Sequence, residues 1–267
     1  MLCLHDRRGL SRNVVAVTCS VLVTGATGTL GRDVLPAAVA AGHHVRASSR
    51  HEHRDGDVRW HRCDLLTGDG VDEAVDGVDV ILHCATQPTA GKDVVSMRNL
   101  LAAARRAGVG HVVYISIVGV DRIPLPYYKT KLRVEQVLAT SGVGHTVLRA
   151  TQFHDLVAAI FSAQRLSPVL FALRGVNFQP IDTRDVAARL IELADEEPAE
   201  RAADIGGPEV RSHADLARAY LRWRGSRRPV AAVPLPGKIA AGYRAGAHLA
   251  PQNPIGTVRF EDYLGRS

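Results

Sequence analysis

Three glycines, Gly25, Gly28 and Gly31, stand three residues apart directly after the short run Val21-Leu22-Val23-Thr24. This GxxGxxG spacing departs from the GxGxxG of the standard dinucleotide fingerprint, but the mechanics carry over. Gly25 permits a sharp exit from a strand, and Gly28 lets backbone N–H groups approach a pyrophosphate. Gly31 lets the next helix pack close to the sheet with its positive end toward the phosphates. Thr27, Thr29 and Leu30 complete the turn, and the segment reads as a dinucleotide site. About twenty residues on, an NAD-specific chain would carry Asp or Glu to hold the ribose hydroxyls. Ala47-Ser48-Ser49-Arg50 stands there instead. Ser49 and Arg50 offer a hydroxyl and a guanidinium fork for a 2′-phosphate, so NADP(H) is expected over NAD(H). The bland reading of Arg50 is a solvated arginine, and Glu52 is the acid that a shifted loop could bring to the ribose.

A second constellation is Tyr127 with Lys131, four residues apart, which puts both side chains on one face of a helix. A cation within about 4–6 Å favours the phenolate and moves a tyrosine toward working pH, where it can serve as a general acid. Ser116 closes the apolar run before that helix. The alternatives are aromatic packing by Tyr127-Tyr128 at a helix start and a strand-end serine bonded to backbone.

The elements needed to hold these residues follow from the pattern of apolar runs. Strands are expected at 21–24, 45–48, 58–63, 78–83, 112–116 and 145–148. Helices are expected at 30–41, closed by Gly42, at 71–75, at 92–107, closed by Gly108, and at 127–141 after Pro124 and Pro126. Strands separated by helix-length segments require right-handed crossovers and a parallel sheet. The fold class is therefore α/β, a Rossmann-type doubly wound parallel sheet. Beyond Arg149 the alternation loosens, with helical patterns at 156–165, 184–194, 213–224 and 237–249, an extended stretch at 176–180, and a turn at 204–208 after a short strand. Segments 150–180 and 206–267 are expected to form a small irregular C-terminal substrate-binding lobe over the carboxyl edge of the sheet. Residues 14–267 read as a single NAD(P)-binding domain and 1–13 as a mobile polar tail. Arg7, Arg8 and Arg12 ahead of the apolar stretch 14–17 imitate a signal peptide, but that stretch runs on into the glycine turn, where cleavage would remove the first strand.

Composition narrows the classes. With 267 residues, 46% hydrophobic and 22% charged, the chain is neither disordered nor a fibrous rod. No run approaches the roughly 18 apolar residues of a membrane span. The net charge is +6, but only Lys92, Lys129, Lys131 and Lys238 are lysines among 33 basic residues, and the arginines are scattered as on solvated faces. No nucleic-acid partner and no membrane partner is expected. Cys3, Cys19, Cys63 and Cys84 form no CxxC pair, so reduced thiols and a cytoplasmic location are expected. His51, His53 and His61 lack a fourth ligand at metal spacing, so no metal is expected.

Together with Cys63-Asp64-Leu65, Cys84-Ala85-Thr86, Tyr114-Ile115-Ser116, Lys131 with Glu135, Thr146 to Arg149, Gln152-Phe153, and Asp182 with Asp185-Val186, the glycine turn carries a likeness. The chain resembles the atypical short-chain dehydrogenase/reductases, in particular the NmrA-like NAD(P)H-binding branch, over about residues 20–210. The resemblance implies that Asp64 and Leu65 hold the adenine edge and that Ala85 and Thr86 line the cofactor groove. It further implies that Lys131 binds the nicotinamide ribose and that Gln152 and Phe153 border the nicotinamide. Reductases of this kind use a tyrosine as acid, a lysine four residues later and a serine that orients the carbonyl, which here are Tyr127, Lys131 and Ser116. The eleven residues from Ser116 to Tyr127 are a few fewer than such reductases use and far fewer than the sugar-modifying members use. In the NmrA-like branch the lysine is usually kept and the tyrosine often lost. Should Tyr127 not be the acid, Ser116, His154 or an ordered water is the next candidate, with a surface histidine as the bland reading of His154.

The expected function is an NADPH-dependent oxidoreductase that reduces a small organic carbonyl or enone by direct hydride transfer. Two alternatives stay open: an NADP(H)-binding redox-sensing regulator without turnover, and a nucleotide-sugar epimerase or dehydratase, against which Arg50 and the short Ser116–Tyr127 spacing speak. The partner expected is a small-molecule substrate, with the oligomeric state open between monomer and homodimer.

Overall fold

The computed structural model describes residues 18–53, 58–87 and 91–266, so the expected tail at 1–13 lies outside the described residues. In chain order the elements are β1 (Ser20–Thr24), α1 (Gly31–Ala40), β2 (His44–Ser49), β3 (Arg59–Arg62), α2 (Val71–Val75), β4 (Val80–His83), α3 (Lys92–Ala107), β5 (His111–Ile117), α4 (Pro126–Ala139) and β6 (His145–Ala150). There follow α5 (His154–Ser162), β7 (Leu170–Leu173), β8 (Asn177–Phe178), α6 (Thr183–Ala194), β9 (Glu200–Arg201), β10 (Arg211–Ser212), α7 (His213–Trp223), β11 (Val230–Val233), α8 (Lys238–Arg244) and α9 (Phe260–Leu264).

Seven strands form one sheet in the order β3-β2-β1-β4-β5-β6-β9, and every pairing in it is parallel. This is the expected doubly wound architecture. The order reverses between β1 and β4, and a crevice opens outside the carboxyl ends of strands at such a switch point. The strands are apolar on both faces because helices cover both. Val21 and Val23 of β1 join one buried cluster with Leu82 and α6 residues such as Leu190. Leu22, between them, faces the other cluster with Ile81, Leu100 of α3 and Val134 of α4. The two-residue period of a strand divides the core in this way.

Local signals set the helix ends. Gly108, in the left-handed region at φ 72°, closes α3, and Pro126 opens α4 at a position where its missing N–H costs nothing. The helical pattern at 237–249 shortens to Lys238–Arg244, and Gly246 at φ 69° turns the chain just beyond. The C-terminal segments gather around an apolar cluster of their own, including Phe161, Leu170, Phe178, Leu216 and Phe260. Within it β7 and β11 pair in parallel, a pairing absent from the sequence reading. Among the described residues, no helix is long and apolar enough to cross a membrane.

Candidate active site

A cleft of about 870 Å³ runs along the carboxyl ends of the central strands. One end is built by the glycine turn. Gly25 sits at φ +66°, and a Cβ there would lie 2.6 Å from the Ala85 backbone. The exit of β1 is thus packed directly on the exit of β4. A Cβ on Gly31 would fall 2.1 Å from the Gly25 carbonyl oxygen, so the start of α1 nests into the turn as expected. Gly28 closes the turn by donating its N–H to Gly25 O at 2.9 Å. Thr27, Thr29 and Leu30 line the cleft with Gly25 and Gly28, whereas Gly31 lies behind the wall as packing.

Ser49 and Arg50, at the end of β2, line the same cleft. The Ser49 hydroxyl accepts the His51 N–H at 3.2 Å and meets His53 Nε2 at 3.1 Å, so the local loop holds it in place. Arg50 is exposed, and Glu52, also exposed, is not among the lining residues. Asp64 and Leu65 follow β3 and also line the cleft. Asp64 Oδ1 accepts the Leu66 N–H at 2.8 Å, which shapes the turn.

Deeper in, β4, β5 and α4 converge. Ala85 and Thr86 continue from β4, with Thr86 Oγ1 2.7 Å from Asp93 Oδ2 and 3.0 Å from the Tyr127 hydroxyl. Lys131, one turn along α4 from Tyr127, is only 3% exposed. Its ammonium donates to Ile115 O at 3.1 Å and stands 4.6 Å from the centre of the Tyr114 ring. Burial pulls it down to about 8 against the support of Asp93, Cys84 and Glu135. Next to it His83 is held down to about 3, first by burial and then by Lys131, so it is neutral and bonded to Thr24 Oγ1 at 2.8 Å. The expected lowering of the Tyr127 phenol by Lys131 does not occur in this geometry. Burial pushes Tyr127 up, the Thr86 bond lowers it in part, and Asp93 raises it further.

Ser116 lines the cleft, but its hydroxyl donates to Glu135 Oε1 at 2.5 Å. Glu135 in turn holds Arg149 through Nε at 2.9 Å and Nη2 at 2.6 Å, and Arg149 reaches Asp121 at 3.1 Å. The serine is therefore one member of an ion-pair network, buried at Arg149 and open to solvent at Asp121, that ties α4 to β5 and β6. Gln152 and Phe153 line the cleft beyond β6. Gln152 gives its Nε2–H to His248 O at 3.2 Å, while its buried Oε1 has no protein partner. His154 departs from both sequence readings. It is 1% exposed, bonds Val258 O at 3.0 Å, stacks on Tyr263 at 5.1 Å, and does not line the cleft.

The structure adds residues that sequence reasoning missed. Asp93 and Ser96 come from α3, and Leu156, Ile160, Leu173, Phe178 and Tyr243 form an apolar wall from the C-terminal segments. Tyr243 also donates to the Tyr128 hydroxyl at 3.1 Å. No motif signals these positions: the packing of α3 and of the C-terminal segments against the sheet brings them to the cleft.

The model of the family described as NAD(P)H-binding matches residues 25–197, beginning at the first glycine of the turn. The chain belongs to this family. It is 32% identical over 199 residues to (4-alkanoyl-5-oxo-2,5-dihydrofuran-3-yl)methyl phosphate reductase of Streptomyces griseus, covering 71% of this chain and 68% of that protein. It is 25% identical over 182 residues to the Photosystem II assembly factor Ycf39 of Trieres chinensis, covering 63% of this chain. The chain spans 57% of that relative's length. In structure it is similar to an NADPH-dependent quinone oxidoreductase of Escherichia coli complexed with NADPH, with a TM-score of 0.80 at 19% identity over 92% of this chain and 99% of that one. A nucleoside-diphosphate-sugar epimerase of Staphylococcus aureus shares the fold as well. Both neighbours carry the parallel α/β fold that the sequence motifs implied. The protein is thus an NAD(P)H-binding member with an oxidoreductase-like fold.

Proposed function

We propose that the protein is an NADPH-dependent reductase of a small organic carbonyl or enone with an apolar body. The observation that carries this reading is a single cleft that joins the glycine turn and Arg50 at one end to Tyr127, Lys131 and an apolar wall at the other. A bound NADPH would supply a hydride from its nicotinamide. Its residues have matching tasks. Arg50 and Ser49 would hold a 2′-phosphate, with the glycine turn at the pyrophosphate, Asp64 and Leu65 at the adenine, and Ala85 and Thr86 along the groove. The buried Lys131 ammonium has spare donors for the ribose hydroxyls, and the unpartnered Gln152 oxygen is an acceptor beside the site of the nicotinamide, with Phe153 next to it. Tyr127, kept protonated by its surroundings, would deliver the proton to the nascent alkoxide or enolate. The apolar wall favours substrates with a hydrophobic body. The S. griseus relative, a reductase by name, supports the same class.

The test is NADPH oxidation across a panel of quinones, enones and aldehydes, with Tyr127→Phe alongside. Turnover should fall roughly 10²- to 10⁴-fold in the variant with NADPH affinity preserved. Tight NADPH binding with no turnover on any member would overturn the reading. That outcome would favour a cofactor-binding regulator, to which the likeness to Photosystem II assembly factors lends weight.

A further inference from the structure

Asp93, a carboxylate lining the cleft from the first turn of α3, is buried, at 6% exposed. Its Oδ2 accepts from Thr86 Oγ1 at 2.7 Å and its Oδ1 accepts the Gln87 N–H at 2.5 Å. Thr86 Oγ1 also lies 3.0 Å from the Tyr127 oxygen. A threonine hydroxyl owns one proton and two lone pairs, and an ionised carboxylate can only accept. The Thr86 proton is therefore committed to Asp93, and Tyr127 must donate into Thr86. Charge fixes the direction of the whole chain, from Tyr127 through Thr86 to Asp93.

We propose that Asp93 is a positioning residue for the proton donor: acting through Thr86, it fixes the Tyr127 hydroxyl at the cleft wall and holds it as a protonated donor rather than a base. This rests on Tyr127 being the acid of the proposed reaction. Other charged and titratable groups surround the chain: Lys131 and Glu135 from α4, Tyr114 from β5 and neutral His83 from β4. Lys131 spends one donor on Ile115 O, so the nearest hydrogen-bonded influence on the phenol is Thr86. When Tyr127 has given its proton to substrate, the Thr86 hydroxyl can rotate and donate to the phenolate. That rotation gives up the Thr86 bond to Asp93 Oδ2, and this cost is what holds Tyr127 protonated until substrate takes the proton; Asp93 keeps the Gln87 N–H.

The test reverses the chain. Asp93→Asn keeps the shape and still accepts from Gln87, but its amide group now donates to Thr86, which frees the threonine proton for Tyr127. The Tyr127 titration is read from the ultraviolet band of tyrosinate as the difference between each protein and its Tyr127→Phe counterpart. In Asp93→Asn it should move to lower pH by about one unit or more. The limb of the turnover–pH profile that belongs to Tyr127 should move with it. Thr86→Ser should match wild type, and Thr86→Val in the Asp93→Asn background should cancel most of the shift. A carboxylate that only pins the loop predicts no such reversal. An unmoved titration in Asp93→Asn, or a shift that survives Thr86→Val undiminished, overturns the proposal. If Asp93→Asn does not fold, Thr86→Val alone decides: at saturating NADPH it should lower turnover and move the Tyr127 titration, with both restored by Thr86→Ser, and a wild-type titration with wild-type turnover overturns the proposal. Full activity of Tyr127→Phe would overturn the choice of acid while leaving the tyrosinate shift readable, so the two failures are distinct.

Discussion

Lys131 is expected to be a residue that the fold carries at a loss. Its pKa is lowered from 10.5 to about 8, chiefly because burial strips water from the ammonium. That depression of roughly 2.5 pH units, at about 1.36 kcal/mol each, corresponds to about 3 kcal/mol by which burial disfavours the charged form. Lys131→Met keeps the length and removes the charge, at the loss of the bond to Ile115 O, worth about 1 kcal/mol. The cofactor-free variant should therefore be more stable than wild type at neutral pH by about 2 kcal/mol, a rise in Tm of about 4–8 °C for a chain of this size. The sign of the pH dependence follows from linkage. Between about 8 and 10.5 the folded lysine binds fewer protons than the unfolded one, so wild-type stability rises with pH through that window. The variant lacks this gain, and its advantage should shrink from pH 8 upward. Thermal melts of both proteins at neutral and alkaline pH, without cofactor, check the size and the trend. NADPH affinity, followed by nicotinamide fluorescence, should fall in the variant. A variant less stable than wild type at neutral pH, or an advantage that does not change with pH, would refute the reasoning.

Three further outcomes follow from other parts of the site. Arg50→Ala should weaken NADPH binding by about 1.5–3 kcal/mol and leave NADH nearly unchanged, as measured by fluorescence titration; equal losses would make Arg50 a structural residue. Arg149→Met strands Glu135, whose partners are Ser116 and the guanidinium, and should cost about 3–5 kcal/mol in denaturant unfolding. Gly31→Ala forces a Cβ to within 2.1 Å of the Gly25 carbonyl oxygen. It should cost about 3 kcal/mol or more in stability and abolish NADPH binding, because the backbone of the turn must move.

The sequence alone determined the parts of this protein that depend on local rules. Strand and helix periods, the Gly108 and Pro126 boundaries and the order of crossovers are set by side-chain spacing and by what glycine and proline allow. The glycine turn was legible for the same reason, since a positive φ at Gly25 and the nesting of Gly31 leave no room for other residue types. Contacts between residues far apart in the chain were decided by tertiary structure. Whether Lys131 faces Tyr127 or Ile115 O, whether Ser116 gives its proton to a substrate or to Glu135, and whether His154 meets a ligand or Val258 O are matters of which surfaces dock. The apolar wall of Leu156, Leu173 and Tyr243 and the chain from Tyr127 to Asp93 have the same origin. A four-residue spacing fixes a helix face, but the direction of a hydrogen bond depends on the charge and burial of its neighbours, and those exist only once the chain has packed.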